Sequence, residues 1–150
     1  MPDIAQQTVS ELLLETKVQV APAAYVLIGL RHQDWTRLLE SPELSPGADA
    51  VFMIFRDAHE VTLLLEESDW QRIRHAVRDA RVEPGFRIVT LDLELPWNVV
   101  GYLAQVTNIL ASTGISVGTI SSFTRDHLLI KEADLGKALK VLGEHVRELC

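Results

Sequence analysis

Two stretches decide the fold of this chain: Leu95-Pro-Trp-Asn-Val-Val-Gly-Tyr-Leu-Ala-Gln-Val106 and Gly114-Ile-Ser-Val-Gly-Thr-Ile-Ser-Ser-Phe-Thr-Arg-Asp-His-Leu-Leu-Ile130. Their order indicates the end of a strand, a loop that contains glycine, an amphipathic helix, and a β-hairpin with Arg125 and Asp126 at its turn. We expect this order to bring a loop backbone, the side chain of Ser116 and one carboxylate within reach of each other. Such a set of groups suits a small zwitterion better than it suits catalysis.

The residues that join these stretches fit a helix with one buried face. Apolar side chains recur at the helical period: Val99, Leu103, Val106 and Leu110. Gly114 follows where a helix stop is expected. Upstream, residues 86–95 alternate between apolar and polar side chains, which indicates a half-buried strand that ends before Pro96.

The chain also contains a degenerate internal repeat. Leu63-Leu-Leu-Glu-Glu-Ser-Asp-Trp70 aligns with Leu128-Leu-Ile-Lys-Glu-Ala-Asp-Leu135. In both copies an apolar strand leads into an acidic helix start, where carboxylates complement the positive end of the helix dipole. Ser68 and Gln71 match a capping box at the first of these helices. A β-prone run precedes each copy, which predicts two hairpins: residues 51–55 and residues 115–123.

The first half of the chain has a similar order of elements. Residues 9–20 form a long β-prone run, residues 23–40 are predicted to be helical with an interruption near Gly29, and residues 41–47 are a loop. Each half is therefore predicted to be β-α-β-β-α. Glu83-Pro-Gly85 marks the boundary between them.

We predict an α+β fold made of two ferredoxin-like units, each with an antiparallel sheet and helices packed on one face. The predicted units are residues 1–84 and residues 85–150. A complete unit of this kind is β-α-β-β-α-β, so each half lacks its closing strand. The N-terminal run at 9–20 is expected to supply the missing pairing.

Composition and charge restrict the class of protein. Of 150 residues, 47% are hydrophobic and 23% are charged, as in an ordinary globular protein rather than a disordered one. The formal net charge of −7 argues against a nucleic-acid partner, because phosphate binding depends mainly on Lys and Arg. The arginines between residues 72 and 81 are diluted by acidic neighbours, and we interpret them as a solvated helix face.

Nothing in the sequence predicts a membrane partner or secretion. No stretch approaches the ~20 apolar residues of a membrane span. The N-terminus lacks the basic start and apolar run of a secretory signal, so we expect a cytoplasmic protein. The one cysteine is Cys150, which excludes an intrachain disulfide and fits a reducing compartment.

Gly114-Ile-Ser-Val-Gly118 matches the G-x-S-x-G pattern of hydrolase nucleophile elbows. That elbow needs a strand before the serine and a helix after it, whereas the predicted order here is the reverse. The five histidines have no metal-ligand spacing, and the glycines form no phosphate-binding loop. We therefore expect no enzyme activity, no metal and no cofactor. His127, beside Asp126, is interpreted as a polar residue on a solvated turn.

Gly101 has two explanations that the sequence leaves open. It lies at the start of the predicted helix, where glycine costs about 1 kcal/mol relative to alanine. One explanation is close helix packing or an irregular first turn, and the other is the close approach of a ligand or partner backbone. The three tryptophans are scattered and are interpreted as core or rim packing: Trp35, Trp70 and Trp97.

Taken together, these stretches resemble the ACT regulatory domains. They resemble more closely the paired ACT-like units of the cytosolic arginine sensors called CASTOR and of their small bacterial relatives. The resemblance covers most of the chain, and its most specific parts are Gly101-Tyr-Leu-Ala-Gln-Val106, Ile115-Ser116 and Ile120-Ser-Ser-Phe-Thr-Arg-Asp-His-Leu-Leu-Ile130. The arginine sensors carry two such pairs in one chain, so this protein is similar to one half of that design.

The resemblance implies an amino acid held between adjacent ACT units. Ser116 matches a serine that contacts the amino acid, and Asp126 matches a hairpin aspartate that faces the ligand's cationic group. The other implied contacts line the pocket beside them: Gly101, Tyr102, Leu103, Ser122 and Phe123. Val99 stands where the family pattern has an acidic residue that helps to hold a guanidinium. This departure favours a less cationic or more apolar amino acid than arginine.

The resemblance favours a non-catalytic sensor that binds a free amino acid and reports it to an effector protein. With two units per chain, a site between units implies a homodimer, which is two-fold symmetric by default. An alternative is an interaction module that has kept the fold and lost the pocket. A small enzyme that uses Ser116, or His127 with Asp126, is the least favoured of the three.

Overall fold

The computed structural model describes residues 7–45 and 51–150. Five α-helices lie in this part of the chain: α1 Val9–Glu15, α2 His32–Leu39, α3 Glu67–Ile73, α4 Tyr102–Ala111 and α5 Glu132–Leu142. The strands of the same part are β1 Lys17–Val20, β2 Tyr25–Leu30, β3 Met53–Arg56, β4 Val61–Glu66, β5 Arg81–Asp92, β6 Gly118–Ser121, β7 Asp126–Lys131 and β8 Glu148–Leu149.

Contacts divide the chain into two compact units. The middle unit is Ala23–Phe86, and the terminal unit combines Met1–Pro22 with Arg87–Cys150. Each has its own cluster of buried apolar side chains. The contacts therefore group the described residues of the N-terminal segment with the second half of the chain, whereas the sequence suggested units at 1–84 and 85–150. Whether either unit is an independently folding domain stays a prediction.

The middle unit is a complete β-α-β-β-α-β motif. Its elements are β2, α2, β3, β4, α3 and the first half of β5, and its strand order is β3-β4-β2-β5 with every pairing antiparallel. The hairpin predicted from the β-prone run at residues 51–55 is confirmed: it consists of β3 and β4. This order of elements and strands is that of a ferredoxin-like unit.

The helix predicted for residues 23–40 is wrong in its first part. Tyr25–Leu30 is a strand, and the helix begins only at His32. Tyr25, Val26, Ile28 and Leu30 are buried, and aromatic and branched side chains favour the extended backbone of a sheet over a helix. Gly29 therefore lies inside a strand, not at a break in a helix.

The terminal unit is closed by a strand from the other end of the chain. Its strand order is β6-β7-β5-β1-β8. β1 pairs antiparallel with β5, from Lys17 opposite Asp92 to Val20 opposite Val89. This confirms that the N-terminal segment supplies a closing strand, and it does so for the terminal unit. The short β8 adds a parallel pairing to β1, the one exception to the antiparallel sheets that were predicted.

Only the last four residues of the run predicted as a strand at 9–20 are extended. Val9–Glu15 is a helix, because Thr8 and Glu11 form a capping box: the Glu11 amide donates to Thr8 Oγ1 (3.2 Å) and the Thr8 amide to Glu11 Oε2 (3.4 Å). The helix buries Leu12 and Leu13 in the terminal unit. The capping box predicted at Ser68 and Gln71 is absent, since α3 begins at Glu67 and places Ser68 inside the helix.

The expected boundary at residues 83–85 lies at a bulge inside β5. Tyr25 pairs with Phe86 and Leu27 pairs with Glu83, so β5 carries one extra residue at this point. Gly85 has φ +83°, a left-handed conformation that suits glycine. One continuous strand therefore contributes residues 81–86 to the middle unit and residues 87–92 to the terminal unit.

The internal repeat is confirmed in three dimensions. β4 runs directly into α3 at Glu67, and β7 runs directly into α5 at Glu132. Each helix has two acidic residues in its first turn. The fold class is therefore α+β with ferredoxin-like units, as predicted. In the part of the chain described, no helix combines the length and the apolar character needed to cross a membrane.

Candidate functional site

A cavity of about 350 Å³ lies at one corner of the terminal unit, where the connection from β5 to α4 meets the turn between β6 and β7. Six of the seven predicted binding residues line it: Gly101, Tyr102, Leu103, Ser122, Phe123 and Asp126. Val99 lines it too. As ligand contacts all seven stay predictions, but the fold brings six of them to one place.

Ser116 is the one predicted binding residue that does not line the cavity. It is exposed in the loop before β6, which begins at Gly118, so it does not open the strand as predicted. It is not among the residues that line the cavity. The G-x-S-x-G pattern also lacks the geometry of an elbow. Gly114 instead adopts a left-handed conformation (φ +77°) after the end of α4, and the Ile115 amide donates to Leu110 O (3.1 Å). This is a common way to end a helix.

The connection that forms one wall of the cavity spans residues 93–101. It is tied to the opposite wall by the Leu95 amide, which donates to the carbonyl oxygen of Thr124 (3.0 Å). Within the connection, the Val99 amide donates to Pro96 O (3.2 Å), which makes a tight turn. The cavity therefore exists because a long loop leaves the sheet before the chain turns into α4.

Gly101 is explained by its backbone conformation. Its φ of +89° and ψ of 0° are left-handed, a region that costs other residues roughly 1–2 kcal/mol. A Cβ atom there would meet only Val9 Cγ2, at an ordinary contact distance of 3.8 Å. The irregular first turn, rather than crowding, therefore requires glycine. The first α-helical bond runs from Gln105 N–H to Gly101 O (3.0 Å), which leaves the preceding amides of the helix without intrahelical acceptors.

Asp126 and Arg125 are the charged side chains of the cavity wall. Asp126, half-buried, accepts a hydrogen bond from Ser121 Oγ at Oδ1 (2.6 Å). Arg125 turns toward β5, where its Nε donates to Asp92 Oδ1 (2.7 Å) and its NH2 lies 3.5 Å from Glu94 Oε1. The guanidinium thus fastens the hairpin turn to the strand and its following loop, while Asp126 keeps an unpaired oxygen among the contacts described.

Tyr102 contributes its surface to the cavity but commits its hydroxyl to the fold. Thr16 Oγ1 donates to Leu12 O (2.8 Å), so the 2.7 Å bond between Thr16 Oγ1 and the Tyr102 hydroxyl has tyrosine as its donor. Thr16 is 0% and Tyr102 3% exposed. Burial raises the pKa of Tyr102 to about 12. The hydroxyl therefore links α1 to α4 and has no proton left to donate to a ligand.

His127 is not the solvated turn residue that was predicted. It lies in β7, half-buried, with Nδ1 2.9 Å from Thr90 Oγ1 and Nε2 3.1 Å from Ser122 Oγ. Because Ser122 Oγ donates to the carbonyl of Arg125 (3.1 Å), it accepts the proton of Nε2. Burial lowers the pKa of His127, with opposing effects from Asp126 and Arg125. The neutral imidazole holds Ser122 at the cavity wall.

Two aromatic side chains stand in solvent at the mouth of the cavity. Trp97 and Phe123 are fully exposed (101% and 102%), so the expectation that Trp97 packs in a core or rim is wrong. Both also line an adjoining outer hollow of about 830 Å³, together with Glu94, Leu95 and Pro96. Sequence reasoning missed Trp97 as a site residue, although an aromatic next to proline in a strand-to-helix loop was a usable signal.

The corresponding corner of the middle unit is built differently. Arg31 alone joins β2 to α2, and His32 Nε2 lies 3.1 Å from the carbonyl oxygen of Asp57 in the β3–β4 turn. The Asp57 carboxylate accepts the amides of Glu60 (2.8 Å) and His59 (2.7 Å), which lower its pKa. Helix and turn are thus in direct contact there, without an intervening loop.

The site holds no metal-binding constellation among the residues described. Across residues 7–45 and 51–150, no three or more His, Cys, Asp or Glu side chains are grouped so that they could share an ion. The cavity instead offers one carboxylate, hydroxyls, backbone amides and apolar surface. These groups suit the binding of a small polar molecule with an apolar part.

Comparison with known proteins shows that the part of the chain with this cavity is similar to a known domain. The sequence profile described as "ACT domain" matches residues 81–144. A protein from Agrobacterium tumefaciens superimposes with a TM-score of 0.70 at 22% identity, over 91% of this chain and 92% of that one. A Vibrio cholerae protein of unknown function, described as a possible transport protein, gives 0.69 at 25% identity, over 94% and 98%.

The fold is also similar to that of a regulatory subunit of aspartate kinase. The ligand-free regulatory subunit of aspartate kinase from Thermus thermophilus superimposes with a TM-score of 0.67 at 15% identity, over 89% of this chain and 97% of that one. No curated protein sequence matches the chain. Membership of the arginine-sensor family stays a prediction. The match to the ACT-domain profile at residues 81–144 includes every residue that lines the candidate cavity.

Proposed function

We propose that this protein is a non-catalytic regulatory protein whose terminal unit binds a free amino acid. The observation that carries the proposal is the cavity at the corner of the terminal unit, where six predicted contacts lie together around one available carboxylate. The ACT profile covers every residue of that cavity, and regulatory subunits with the same fold support a regulatory rather than a chemical role.

The groups in the cavity match the two charges of an amino acid. The amides at the start of α4 have no intrahelical acceptor, and helix starts favour anions such as an α-carboxylate. Asp126 pairs with the α-ammonium, since Ser121 fixes one of its oxygens and leaves the other available. Charge-assisted hydrogen bonds of this kind are roughly twice as strong as neutral ones.

A second copy of the chain covers the cavity in this proposal. Large side chains that stand fully in solvent, such as Trp97 and Phe123, are typical of surfaces that become buried in a partner. A two-fold dimer would place each chain's aromatic residues over the other's cavity. Ligand binding would then alter the dimer by a coupling of ~1–3 kcal/mol and so signal to an effector protein in the cytoplasm.

A screen of ligand-induced stabilisation tests the proposal. The full chain is heated with each of the twenty free amino acids at millimolar concentration, and one or a few are expected to raise Tm. Ligand at 100 times Kd stabilises by about 2.7 kcal/mol, which is roughly 5–10 °C for a chain of this size.

The matched variants are Asp126→Asn and Glu144→Gln. Each removes one negative charge from the terminal unit, but Glu144 is exposed and lies outside the cavity. Asp126→Asn should abolish the shift in Tm while Glu144→Gln keeps it. If the ligand-induced shift in Tm is undiminished in Asp126→Asn, Asp126 does not bind the ligand.

The alternative function is an interaction module without a ligand. The exposed Trp97 and Phe123 favour it as much as they favour a covered ligand site. It predicts that no amino acid changes Tm although the protein is folded and dimeric. The thermal screen separates the two functions, and sedimentation of the unliganded chain checks that the protein in the screen is dimeric.

A further inference from the structure

We infer that the ligand is a neutral amino acid with an apolar side chain of about leucine or phenylalanine size, and that this side chain lies in the outer hollow against Trp97 and Phe123. The inference rests on the proposed function. It adds the chemical class of the ligand, which the position of Asp126 alone leaves open.

The charges of the inner cavity are balanced. Asp126 and Arg125 are the charged residues among those that line it. The guanidinium is held by Asp92 at 2.7 Å and is also near Glu94 at 3.5 Å, so it is not available to an acidic side chain of the ligand. The α-ammonium uses Asp126. No second carboxylate lines the inner cavity to hold a ligand lysine or arginine.

The way out of the inner cavity has an apolar side and a hydroxyl side. Leu95, Pro96, Trp97 and Phe123 line both the inner cavity and the outer hollow, so a ligand side chain that points outward can pass along them. The hydroxyl residues that line both are Ser121, Ser122 and Thr124. Val99 and Leu103 add apolar surface on the inner side. Full burial of a leucine or phenylalanine side chain corresponds to roughly 10- to 100-fold in affinity.

Glu94 is the feature that could favour a cationic side chain instead, because it lines the outer hollow. Its side chain is 71% exposed and already lies beside Arg125. An exposed ion pair of this kind adds about fivefold to affinity at most. The gain from apolar burial is larger, so the wall of the hollow and not its one carboxylate decides the class of ligand.

The experiment is a calorimetric comparison of glycine, leucine, phenylalanine, lysine and arginine on the full chain. Leucine or phenylalanine should bind roughly 10- to 100-fold more tightly than glycine, and lysine and arginine should bind no better than glycine. Phe123→Ala, at a fully exposed position where truncation cannot empty a core, should reduce the advantage of leucine and phenylalanine over glycine. Glu144→Gln, which removes a charge outside both the cavity and the hollow, is the control and should leave all five affinities unchanged. Glu94→Gln should change none of the five by more than about fivefold.

Three results would overturn the inference. Preferred binding of lysine or arginine that is lost in Glu94→Gln would show that the outer carboxylate selects the ligand. Equal affinities for glycine and leucine would show that the side chain is not in the hollow. In both cases the proposed function survives, because an amino acid is bound. Binding of none of the twenty amino acids removes the proposed function and the inference together.

Discussion

The buried bond between Tyr102 and Thr16 provides a test of which cavity residues serve the fold and which serve a ligand. Tyr102→Phe removes one hydroxyl and keeps the ring that packs in the terminal unit. Since Thr16 retains its bond to Leu12 O, the variant loses one buried neutral hydrogen bond and leaves no buried donor unpaired. Such a loss costs about 1 kcal/mol, or roughly 2–4 °C in Tm for a chain of this size.

The companion variant Thr16→Val should be more damaging. It removes the hydroxyl that donates to Leu12 O and leaves the Tyr102 hydroxyl without a partner. That hydroxyl is buried, and burial raises the pKa of Tyr102 to about 12. An unpaired buried donor costs ~1–3 kcal/mol. In the double variant the stranded hydroxyl is gone, so its destabilisation should fall short of the sum of the two single values by about 1 kcal/mol.

Urea denaturation of the unsubstituted chain, the two single variants and the double variant measures these free energies of unfolding. Calorimetry with the amino acid that raises Tm most measures ligand affinity. Tyr102→Phe is expected to change stability while ligand affinity stays within about twofold. Thr16→Ser keeps the hydroxyl and is the control for altered side-chain volume. Additive free energies in the cycle would refute the direct bond. A large loss of affinity with unchanged stability would show instead that the tyrosine hydroxyl serves the ligand.

Three further predictions concern α4, α5 and β7. Gly101→Ala should destabilise the protein by roughly 1–2 kcal/mol, because the backbone there is left-handed. Gly136 lies inside α5 with open space around it, so Gly136→Ala should stabilise the protein by about 1 kcal/mol. Chemical denaturation measures both changes. His127 has a pKa below its ordinary value of about 6.5 because of burial, so the unfolded chain binds more protons and stability should fall as pH drops below about 6.5. His127→Gln should remove that pH dependence, and an unchanged slope would contradict it.

Periodicity was sufficient to predict most of the terminal unit. The alternation at 86–95, the helical spacing from Val99 to Leu110 and the stop at Gly114 all depend on local chemistry. The strand appears but ends at Asp92, and the helix appears but begins at Tyr102, so Val99 lies in the connection between them. The closing role of the N-terminal segment was also predictable, because a β-α-β-β-α unit has an unpaired strand position and the chain held one unassigned β-prone run.

The errors arose where local propensity and tertiary contacts disagree. Residues 9–15 are rich in leucine and valine, and only the Thr8–Glu11 capping box distinguishes a short buried helix from a strand. Residues 25–30 were taken for a helix because their strand character depends on pairing with β4 and β5, which lie far along the chain. The hydrogen bonds of Tyr102 and His127 join residues 86 and 37 positions apart, so no window of sequence contains them.

The two units share one fold, yet only one was predicted to bind a ligand, and the structure supplies a physical reason for the difference. Both place a helix start beside a hairpin turn. In the middle unit one residue, Arg31, connects strand to helix, and His32 contacts the turn directly. In the terminal unit residues 93–101 intervene, and their backbone holds the helix start and the turn apart around a cavity. Loop length therefore separates the two corners: the short connection packs the helix against the turn, and the long one leaves the cavity in which we propose that an amino acid binds.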